Sequence, residues 1–433
     1  PNKFKNNDLL DKDENLSSKK VNSKIINREH EILHILHDGF AYGQGANAWS
    51  KSYIDFNILK SKKIGFIDYV KTIYSTQVTK DENYFYIAPK YLKLIKFGSI
   101  KSFYKIFKIL INSRSINEFF LSLLFIKLFF ETEFYKSEFR KFKKTKFAIL
   151  DYVELCPFSI IFACKYLNIK TIAIQQRFIN FEYGYCQIIS DYYLINSSLI
   201  KKKLKENKNI KNIIIVGQWR TKFLKNKSFY VKKNKKRITA VAYFYQMNKN
   251  LSQTEVTVND RNSNYFLDQL MKLSHQVDNI EIFIKFKSVL WMNDKISSEE
   301  FLIQRFLNKL KKNNKVNIEN SMSSYESCLN SDLVIAKPTS LCDELISQKI
   351  PTLISLDCKN FKIRKDTIYN YLHKDILVSS YNELLVKTKK ILNKDNHFKS
   401  IYSNSSRKLY DNGIFDDTNK LTNEINKIIE KKC

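Results

Sequence analysis

The stretch of sequence that decides the fold covers residues 147–176 and reads FAILDYVELCPFSIIFACKYLNIKTIAIQQ. It begins with a short apolar run, continues through an amphipathic segment, and ends in a second apolar run that is rich in β-branched residues. Apolar strands that alternate with helices of this length are typical of a parallel sheet covered by helices on both faces. The stretch therefore predicts a strand, a helix and a second strand of an α/β domain.

A densely basic run, KNKSFYVKKNKKR at residues 225–237, lacks helical periodicity and predicts a linker. Strand and helix patterns alternate on both sides of it. The predicted strands lie at 147–150, 171–176, 192–196 and 212–217 before the linker, and at 238–246, 280–287, 316–318, 332–337, 351–356 and 375–380 after it. We therefore expect an α/β chain with two Rossmann-like domains that face a cleft.

The predicted boundaries follow from this alternation. They are a flexible lead-in at 1–25, an N-terminal α/β domain at 26–225, the linker at 226–237, a C-terminal α/β domain at 238–393, and a helical tail at 394–433 that packs back across both domains.

Composition excludes several classes of protein. The chain has 433 residues, of which 44% are hydrophobic, so it can fill cores and is not expected to be disordered. Only 8 Gly and 5 Pro occur, which excludes a collagen-like or low-complexity chain. No run of about 18 uncharged apolar residues is present, so no membrane-spanning helix is predicted.

The formal net charge of +31 can reflect either the composition bias of the genome or an anionic partner. Lys, Asn and Ile, which A/T-rich codons encode, are all abundant, so composition bias alone accounts for much of the lysine. No nucleic-acid-binding motif is present, and no specific nucleic-acid partner is predicted. A phosphorylated substrate or an anionic membrane surface fits better. The basic, aromatic helices expected around 91–145 either lie on such a membrane or pack over the N-terminal sheet.

Seven cysteines show no metal-ligand spacing, and most of them sit in apolar segments. Reduced thiols that pack as small hydrophobes indicate a cytoplasmic location. The first twenty residues are polar and lysine-rich, without the apolar core of a secretory signal.

Ligands of open α/β sheets bind beyond the carboxyl ends of the strands. In the C-terminal domain, Pro338 ends a strand, and Thr339 or Ser340 begins a helix whose free N–H groups suit a phosphate. Glu344 follows one turn later, where it can hold a ribose hydroxyl or a sugar. The alternative is an ordinary capping box supported by Asp343 or Glu344.

Two further features follow strands. Lys285 and Lys287 share one face at a strand end, where they either meet a phosphate or form a solvated edge. Gly217 and Gln218 follow another strand, and the glycine provides either a close backbone approach at the cleft or a tight turn.

The N-terminal domain offers two polar windows. The window HDGFAYGQGANAW combines three glycines with His37, Asp38 and Gln44, and predicts either a sugar-binding loop with a general base or a surface turn. The second window follows a central strand and contains Gln175, Gln176, Arg177 and Glu182.

Metal and nucleophile motifs are missing from the sequence. Neither HExxH nor GxSxG occurs, and the acidic pairs lie near the termini rather than after strands. We expect a metal-independent mechanism without a cofactor.

Two segments carry a resemblance to a known family. FAILDYVELCPFSIIFACKYLNIKTIAIQQRF and SMSSYESCLNSDLVIAKPTSLCDELISQKIPTLISLD resemble the GT-B glycosyltransferases, and more narrowly the bacterial surface- and capsular-polysaccharide biosynthesis group. The chain departs from that group at Arg177 and Phe178, where a His or Asn and a Gly are usual. Lys285-Phe286-Lys287 also replaces the usual Lys-Pro-His-Pro.

The resemblance implies sugar transfer from a nucleotide-activated donor to a surface glycan or a lipid-linked acceptor. The enzyme would be cytoplasmic or peripheral at the inner membrane, with the donor in the C-terminal domain and the acceptor in the N-terminal one. Asp38 is the first choice of base, with His37 and Glu182 as rivals. The implied donor contacts are Gly217, Gln218, Lys285, Lys287, Pro338, Thr339, Ser340 and Glu344, and the implied acceptor contacts are Gln44, Gln175, Gln176 and Arg177.

Three alternatives remain open at the level of sequence. A nucleotide-sugar epimerase or hydrolase on the same fold would act without an acceptor. A non-catalytic scaffold of a polysaccharide assembly complex would not bind nucleotide. A charge-driven nucleic-acid binder would show steeply salt-dependent binding.

Overall fold

The structure is a computed structural model, and it is built around two parallel β-sheets. It describes residues 29–36, 63–69, 84–87, 115–150, 156–175, 188–219, 235–242, 260–286, 315–319, 324–356, 371–411 and 420–431, with single residues between 108 and 113, at 153, and between 308 and 313. The predicted fold class of two Rossmann-like α/β domains is confirmed.

The first sheet has the strand order β3-β2-β1-β4-β5-β6-β7, and all its strand pairs are parallel. Strand β4 is an apolar run with every residue buried, and in β5 every residue after Lys170 is buried, as is usual in parallel sheets covered on both faces. The strands are β1 (Ile32–Leu36), β2 (Ile64–Asp68), β3 (Tyr84–Tyr86), β4 (Phe147–Leu150), β5 (Lys170–Ile174), β6 (Ser190–Ile195) and β7 (Ile210–Ile215).

Alternate residues of the first sheet enter two separate cores. Ala148 and Leu150 point into a core with helices α1 (Ile116–Phe139), α2 (Phe158–Tyr166) and α3 (Ser198–Leu204). Phe147 and Ile149 point to the opposite face, which is covered by the last helix of the chain, α9 (Lys420–Glu430). The four buried apolar residues that α9 contributes to this core are Leu421, Ile425, Ile428 and Ile429.

The second sheet has the order β10-β9-β8-β11-β12-β13, again with only parallel pairs. Its strands are β8 (Lys236–Ala242), β9 (Ile280–Phe286), β10 (Val316–Ile318), β11 (Leu333–Ala336), β12 (Thr352–Ser355) and β13 (Leu377–Val378). Its helices are α4 (Asp260–Gln276), α5 (Ser324–Leu329), α6 (Ser340–Ser347), α7 (Tyr381–Leu392) and α8 (Asn396–Tyr410), with a 3₁₀ turn at Lys374–Ile376.

Helices of the second sheet pair with one another as well as with strands. Helix α4 packs on α7, and α6 packs on α8. The four residues of β11 and those of β12 are all buried, so both faces of the central strands are covered. Only the ends of these strands are then left for polar chemistry.

Helix α8 is bound to the second sheet by hydroxyl groups. The Tyr402 hydroxyl donates to the carbonyl of Thr352 at 2.8 Å and accepts from its N–H at 3.0 Å. The Ser406 hydroxyl donates to the carbonyl of Ser347 at 2.6 Å. All of these groups are buried, so each hydrogen bond compensates the cost of removing a polar group from water.

The chain then crosses from the second sheet to the first. Asp411, at the end of α8, adopts a left-handed conformation with φ of 51°. Its carboxylate accepts from the backbone N–H of Ser198 at 2.7 Å and from the Ser198 hydroxyl at 2.6 Å, at the first turn of α3. Because the next described helix, α9, lies on the first sheet, the C-terminal segment 394–433 contacts both halves of the molecule. The boundaries given above for the domains stay predictions.

The three strands β1, β2 and β3 were not predicted from the sequence. The predicted strands from 147 onward all have a counterpart in the described residues, although the one at 375–380 is reduced to a 3₁₀ turn and two strand residues.

Removal of the Asp411 carboxylate should destabilise the protein by about 1 kcal/mol, the usual cost of losing a helix N-cap. Asp411→Gly is the cleaner change, because glycine tolerates the left-handed backbone without strain. Asp411→Ala should cost about 1 kcal/mol more than Asp411→Gly, because alanine pays for the positive φ.

The measurement is urea unfolding followed by far-UV circular dichroism. Asp395→Ala serves as the control, because Asp395 caps only its own helix through the N–H of His397. Because glycine also relieves the left-handed backbone at this position, an Asp411→Gly variant clearly more stable than the wild type would show that the contact with Ser198 is not stabilising.

Candidate functional site

The carboxyl ends of β9, β8 and β11 lie side by side. Lys285 of β9 pairs with Val241 of β8, and Val241 pairs with Ala336 of β11. Adjacent strands are about 4.8 Å apart, so the residues that follow these strands share one edge of the sheet. This is the edge at which open α/β sheets bind ligands.

Helix α6 begins at this edge, directly after Pro338. Thr339 is its N-cap residue and has an extended backbone, but its side chain makes no capping hydrogen bond. Ser340 is the first helical residue. The carboxylates of Asp343 and Glu344 accept hydrogen bonds from tyrosines on other helices.

Glu344 is the central carboxylate of the candidate site. It is only 2% exposed, and its Oε2 accepts a hydrogen bond of 2.5 Å from the hydroxyl of Tyr325 on α5. This hydrogen bond links α5 to α6 and restricts the orientation of the Glu344 carboxylate.

The thiol of Cys328 lies among the ionic groups of this region. The pKa of Cys328 is raised to about 12, chiefly by burial; the negative charge of Glu344 also raises it, and the positive charges of Arg237 and Lys285 lower it. A thiol with such a pKa stays protonated near neutral pH, so Cys328 is not a nucleophile. Glu344, Arg237 and Lys285 are therefore all close enough for their charges to act on this buried thiol.

Lys285 is half-buried rather than solvated. Its Nζ donates to the backbone carbonyl of Glu319 at 3.3 Å, at the end of β10. The Glu319 side chain in turn forms a buried ion pair with Arg237, with 2.7 Å between Nη2 and Oε2. The Arg237 guanidinium also lies 3.7 Å from the centre of the Phe283 ring. Lys285 and the Arg237–Glu319 ion pair are therefore joined at Glu319, beside the end of β9.

Lys337 is a site residue that sequence reasoning did not select. It is 5% exposed, and its Nζ lies 5.5 Å from the centre of the Phe266 ring on α4. A buried lysine is costly unless it meets compensating groups, so its place at the end of β11 is informative. The signal in the sequence was a lysine directly after the apolar run LVIA and directly before Pro338.

The edge of the first sheet is braced by polar groups. Gln175 is fully buried, and its Oε1 accepts from the N–H of Asn196 at 2.9 Å. The backbone carbonyl of Gln175 accepts from the indole N–H of Trp219 at 3.0 Å. Gly217 has φ of 81°, a conformation that favours glycine, and Gln218 is buried beside it. The hydrogen bonds of Gln175 therefore connect the ends of β5, β6 and β7. The ligand contacts predicted for Gln175, Gly217 and Gln218 stay predictions.

The remaining predicted site residues lie outside the described residues. His37 and Asp38 are the next two residues after β1, which is a central strand of the first sheet. The predicted site residues that lie outside the described ranges are His37, Asp38, Gln44, Gln176, Arg177, Glu182 and Lys287. Ser340 lies within them, but its side chain is not described.

Within the described ranges, no group of three or more His, Cys, Asp and Glu side chains is arranged to hold a metal ion. The expectation of a metal-independent mechanism stays a prediction.

Comparison with solved structures identifies the fold. A UDP-N-acetylglucosamine 2-epimerase superimposes with a TM-score of 0.56 over 94% of this chain and 97% of its own, at 10% identity. The UDP-GlcNAc 2-epimerase of Neisseria meningitidis, bound to UDP-GlcNAc, gives 0.53 at 9% identity over 92% and 99%. The S. aureus MnaA structure with UDP gives 0.53 at 10% identity over 93% and 97%. No protein-family model and no curated protein matches the sequence.

The predicted GT-B-like fold is thereby confirmed over nearly the whole chain. At these identities the similarity establishes the fold alone.

Asp343, the neighbour of Glu344, has a different role. It is buried, and its Oδ1 accepts from the Tyr410 hydroxyl of α8 at 3.2 Å. Burial raises the pKa of Asp343 well above its usual range; the hydrogen bond from Tyr410 lowers it, and the charge of Glu344 raises it. The native state therefore holds the proton of Asp343 at pH values where the unfolded chain releases it.

This raised pKa predicts a stability contribution that is present below about pH 4 and is lost as the pH rises toward the native pKa. Asp343→Asn cannot ionise, yet its amide oxygen still accepts from Tyr410. The variant should match the wild type at about pH 4 and become progressively more stable than it toward about pH 8. Urea unfolding across this range measures the difference.

Asp375→Asn is a control of opposite sign. Burial alone raises the pKa of Asp375, but the hydrogen bond with His397 and the charges of Lys387 and His373 outweigh it and leave the pKa below its usual value. Asp375→Asn should therefore lose stability relative to the wild type above about pH 4. Parallel pH profiles for Asp343→Asn and the wild type would contradict the raised pKa of Asp343.

Proposed function

We propose that this chain is a nucleotide-sugar-dependent glycosyltransferase whose donor binds at the carboxyl edge of the second sheet. One observation carries the proposal. On a GT-B fold, the helix that starts at this edge, α6, carries the buried Glu344 carboxylate, and Tyr325 of α5 orients that carboxylate by a hydrogen bond. Such a carboxylate suits a ribose, because two adjacent hydroxyls can donate to its oxygens.

The other donor contacts follow from the same edge. The N-terminus of α6 offers unpaired N–H groups to the diphosphate, with the Thr339 side chain not engaged in capping. Lys285, together with Lys287, supplies positive charge for the leaving nucleoside diphosphate. Lys285 reaches Glu319 from the end of β9, which supports a position at the edge of the site.

The transfer step would use a base from the first half of the chain. Asp38 is our first choice, because it follows β1 by two residues; His37 and Glu182 are its rivals. The base takes the proton of an acceptor hydroxyl, whose oxygen attacks the anomeric carbon. The bond from that carbon to the diphosphate breaks, and the nucleoside diphosphate leaves with the negative charge. The acceptor would be a surface glycan or a lipid-linked saccharide.

A nucleotide-sugar epimerase is the second candidate. The observation that favours it is the superposition on UDP-GlcNAc 2-epimerases along nearly the full length of the chain. The two functions differ in their need for an acceptor. Incubation with UDP-GlcNAc alone would give an epimerised sugar nucleotide from an epimerase, and no such product from a transferase.

Nucleotide binding should depend on Glu344 and not on its neighbour. We expect Glu344→Gln to weaken UDP binding about tenfold or more, since hydrogen bonds to a charged group contribute about 1.5–3 kcal/mol. Tyr325→Phe should weaken it by a smaller factor, because only the orientation of the carboxylate is lost. Isothermal titration calorimetry with UDP, CDP, GDP, CMP and dTDP measures the constants and identifies the base.

Asp343→Asn is the matched control, because it makes the same chemical change one residue away, on a carboxyl that contacts Tyr410 instead. Its nucleotide affinity should equal that of the wild type. Unchanged affinity in Glu344→Gln would refute the proposed donor site, and absence of binding by every nucleotide would favour a non-catalytic scaffold.

A further inference from the structure

The first half of α1 exposes a large apolar surface. Six hydrophobic side chains between residues 119 and 125 are at least 40% exposed, and Ile116 and Ile111 are exposed more strongly still. Phe120 is 60% exposed and Leu124 is 63% exposed. The six are Phe119, Phe120, Leu121, Leu123, Leu124 and Phe125. Soluble monomers rarely expose so many large apolar residues together, and such patches mark interaction surfaces.

The exposed side chains surround the helix. At about 100° per residue, the positions from 119 to 125 point in nearly all directions, and of these seven only Ser122 is buried. Ser122 lies within 3.3 Å of the Ser113 hydroxyl. A helix that docks in a protein groove needs one apolar stripe. A helix that is apolar on nearly every side needs a surrounding that is apolar on every side, as lipid is.

The second half of α1 holds this segment firmly. Phe134, Tyr135 and Phe139 are buried in the core of the first sheet, and α1 packs along α2. The Ser115 side chain caps the first turn by accepting from the N–H of Glu118 at 3.1 Å. The exposed half is therefore a continuation of a fixed helix and keeps its shape without a partner.

The charge of the surrounding sequence selects the kind of lipid. Residues 90–146 contain fourteen Lys and Arg against four Glu. Within the exposed half, Lys127 has a half-exposed side chain and lies 3.9 Å from Glu131, so its ammonium can reach a headgroup while its methylenes stay in the apolar layer. Basic residues beside an apolar helix are attracted to anionic lipids.

None of the described helices is long and apolar enough to cross a membrane. The exposed half of α1 is about 20 Å long, which is shorter than the hydrocarbon core of about 30 Å, so it can enter the bilayer from one side without crossing it.

We propose that residues 116–129 of α1 insert into the acyl layer of one leaflet of an anionic phospholipid bilayer, with the basic residues that flank the segment at the headgroups, and anchor the protein to that surface. The proposal is independent of the sugar chemistry proposed above. It predicts a surface contact that needs both the apolar side chains and the negative charge of the lipid.

The test is flotation of the full chain with vesicles of phosphatidylcholine, with and without phosphatidylglycerol. The wild type should float with the anionic vesicles and bind the neutral ones at least about tenfold more weakly. The double variant F120E/L124E should lose at least about tenfold in partition to the anionic vesicles. Both positions are exposed, so its circular dichroism and melting temperature should match those of the wild type.

A matched control separates insertion from net charge. Y265E/V386E adds the same two carboxylates at exposed hydrophobic positions of α4 and α7, where the exposures are 43% and 52%. Its partition should stay within about twofold of the wild type. An equal loss in both double variants would mean that charge alone drives binding, and would overturn the insertion.

Other occupants of this surface would also be visible. If the wild type does not float, and size-exclusion chromatography with light scattering shows an oligomer that F120E/L124E dissociates, a second copy covers the helix and the proposal is wrong. A monomer that does not float would mean that neither lipid nor a second copy covers it, and would equally overturn the proposal. Equal binding to neutral and anionic vesicles would refute the stated lipid class.

Discussion

The structure depends on the constraint that a parallel strand buried on both faces leaves polar side chains a place only beyond its ends. In β4, β11 and β12 every residue is buried, and nearly all are apolar. The groups that can do chemistry therefore collect at the carboxyl edges. At one edge Gln175 and Trp219 tie strand ends together, and at the other Glu344 stands at the head of the helix that follows β11. The burial of these strands on both faces therefore determines the fold and also the place where polar side chains can form a site.

The sequence predicted the strands from 147 onward because each is a short apolar run between helical patterns. The strands β1, β2 and β3 were not predicted, because their sequences lack a clear strand pattern. The run ILHIL contains His34, which is fully buried and breaks the apolar pattern, and β2 contains Gly65, which is a poor strand former. Strand β3 has only three residues, too few for any periodicity. Tertiary packing on strong neighbours, rather than local preference, makes these segments strands.

The residues of the candidate site also fall into two groups: those that local sequence predicts and those whose position depends on packing. Glu344 was predictable, because its position depends only on a strand, a proline and a helix that are adjacent in the chain. Tyr325 was not selected, because its contact with Glu344 joins two helices and depends on how they pack. The half-buried state of Lys285 likewise depends on Glu319 at the end of a different strand. Local sequence predicts which residues reach an edge, whereas only the fold decides which of them meet.

Helix α6 gives its two adjacent carboxyls opposite surroundings, because neighbouring residues on a helix point about 100° apart. Glu344 faces Tyr325, while Asp343 faces Tyr410 on α8. The residue after Tyr410 is Asp411, which caps α3 of the first sheet through Ser198. Chain neighbours and hydrogen bonds therefore alternate from the candidate donor carboxylate to the other half of the molecule. The hydrogen bond between Asp343 and Tyr410 is buried and lies within the second half, whereas the one between Asp411 and Ser198 is exposed and joins the two halves. A movement between the halves therefore acts first on the contact of Asp411, whose hydrogen bonds water can replace.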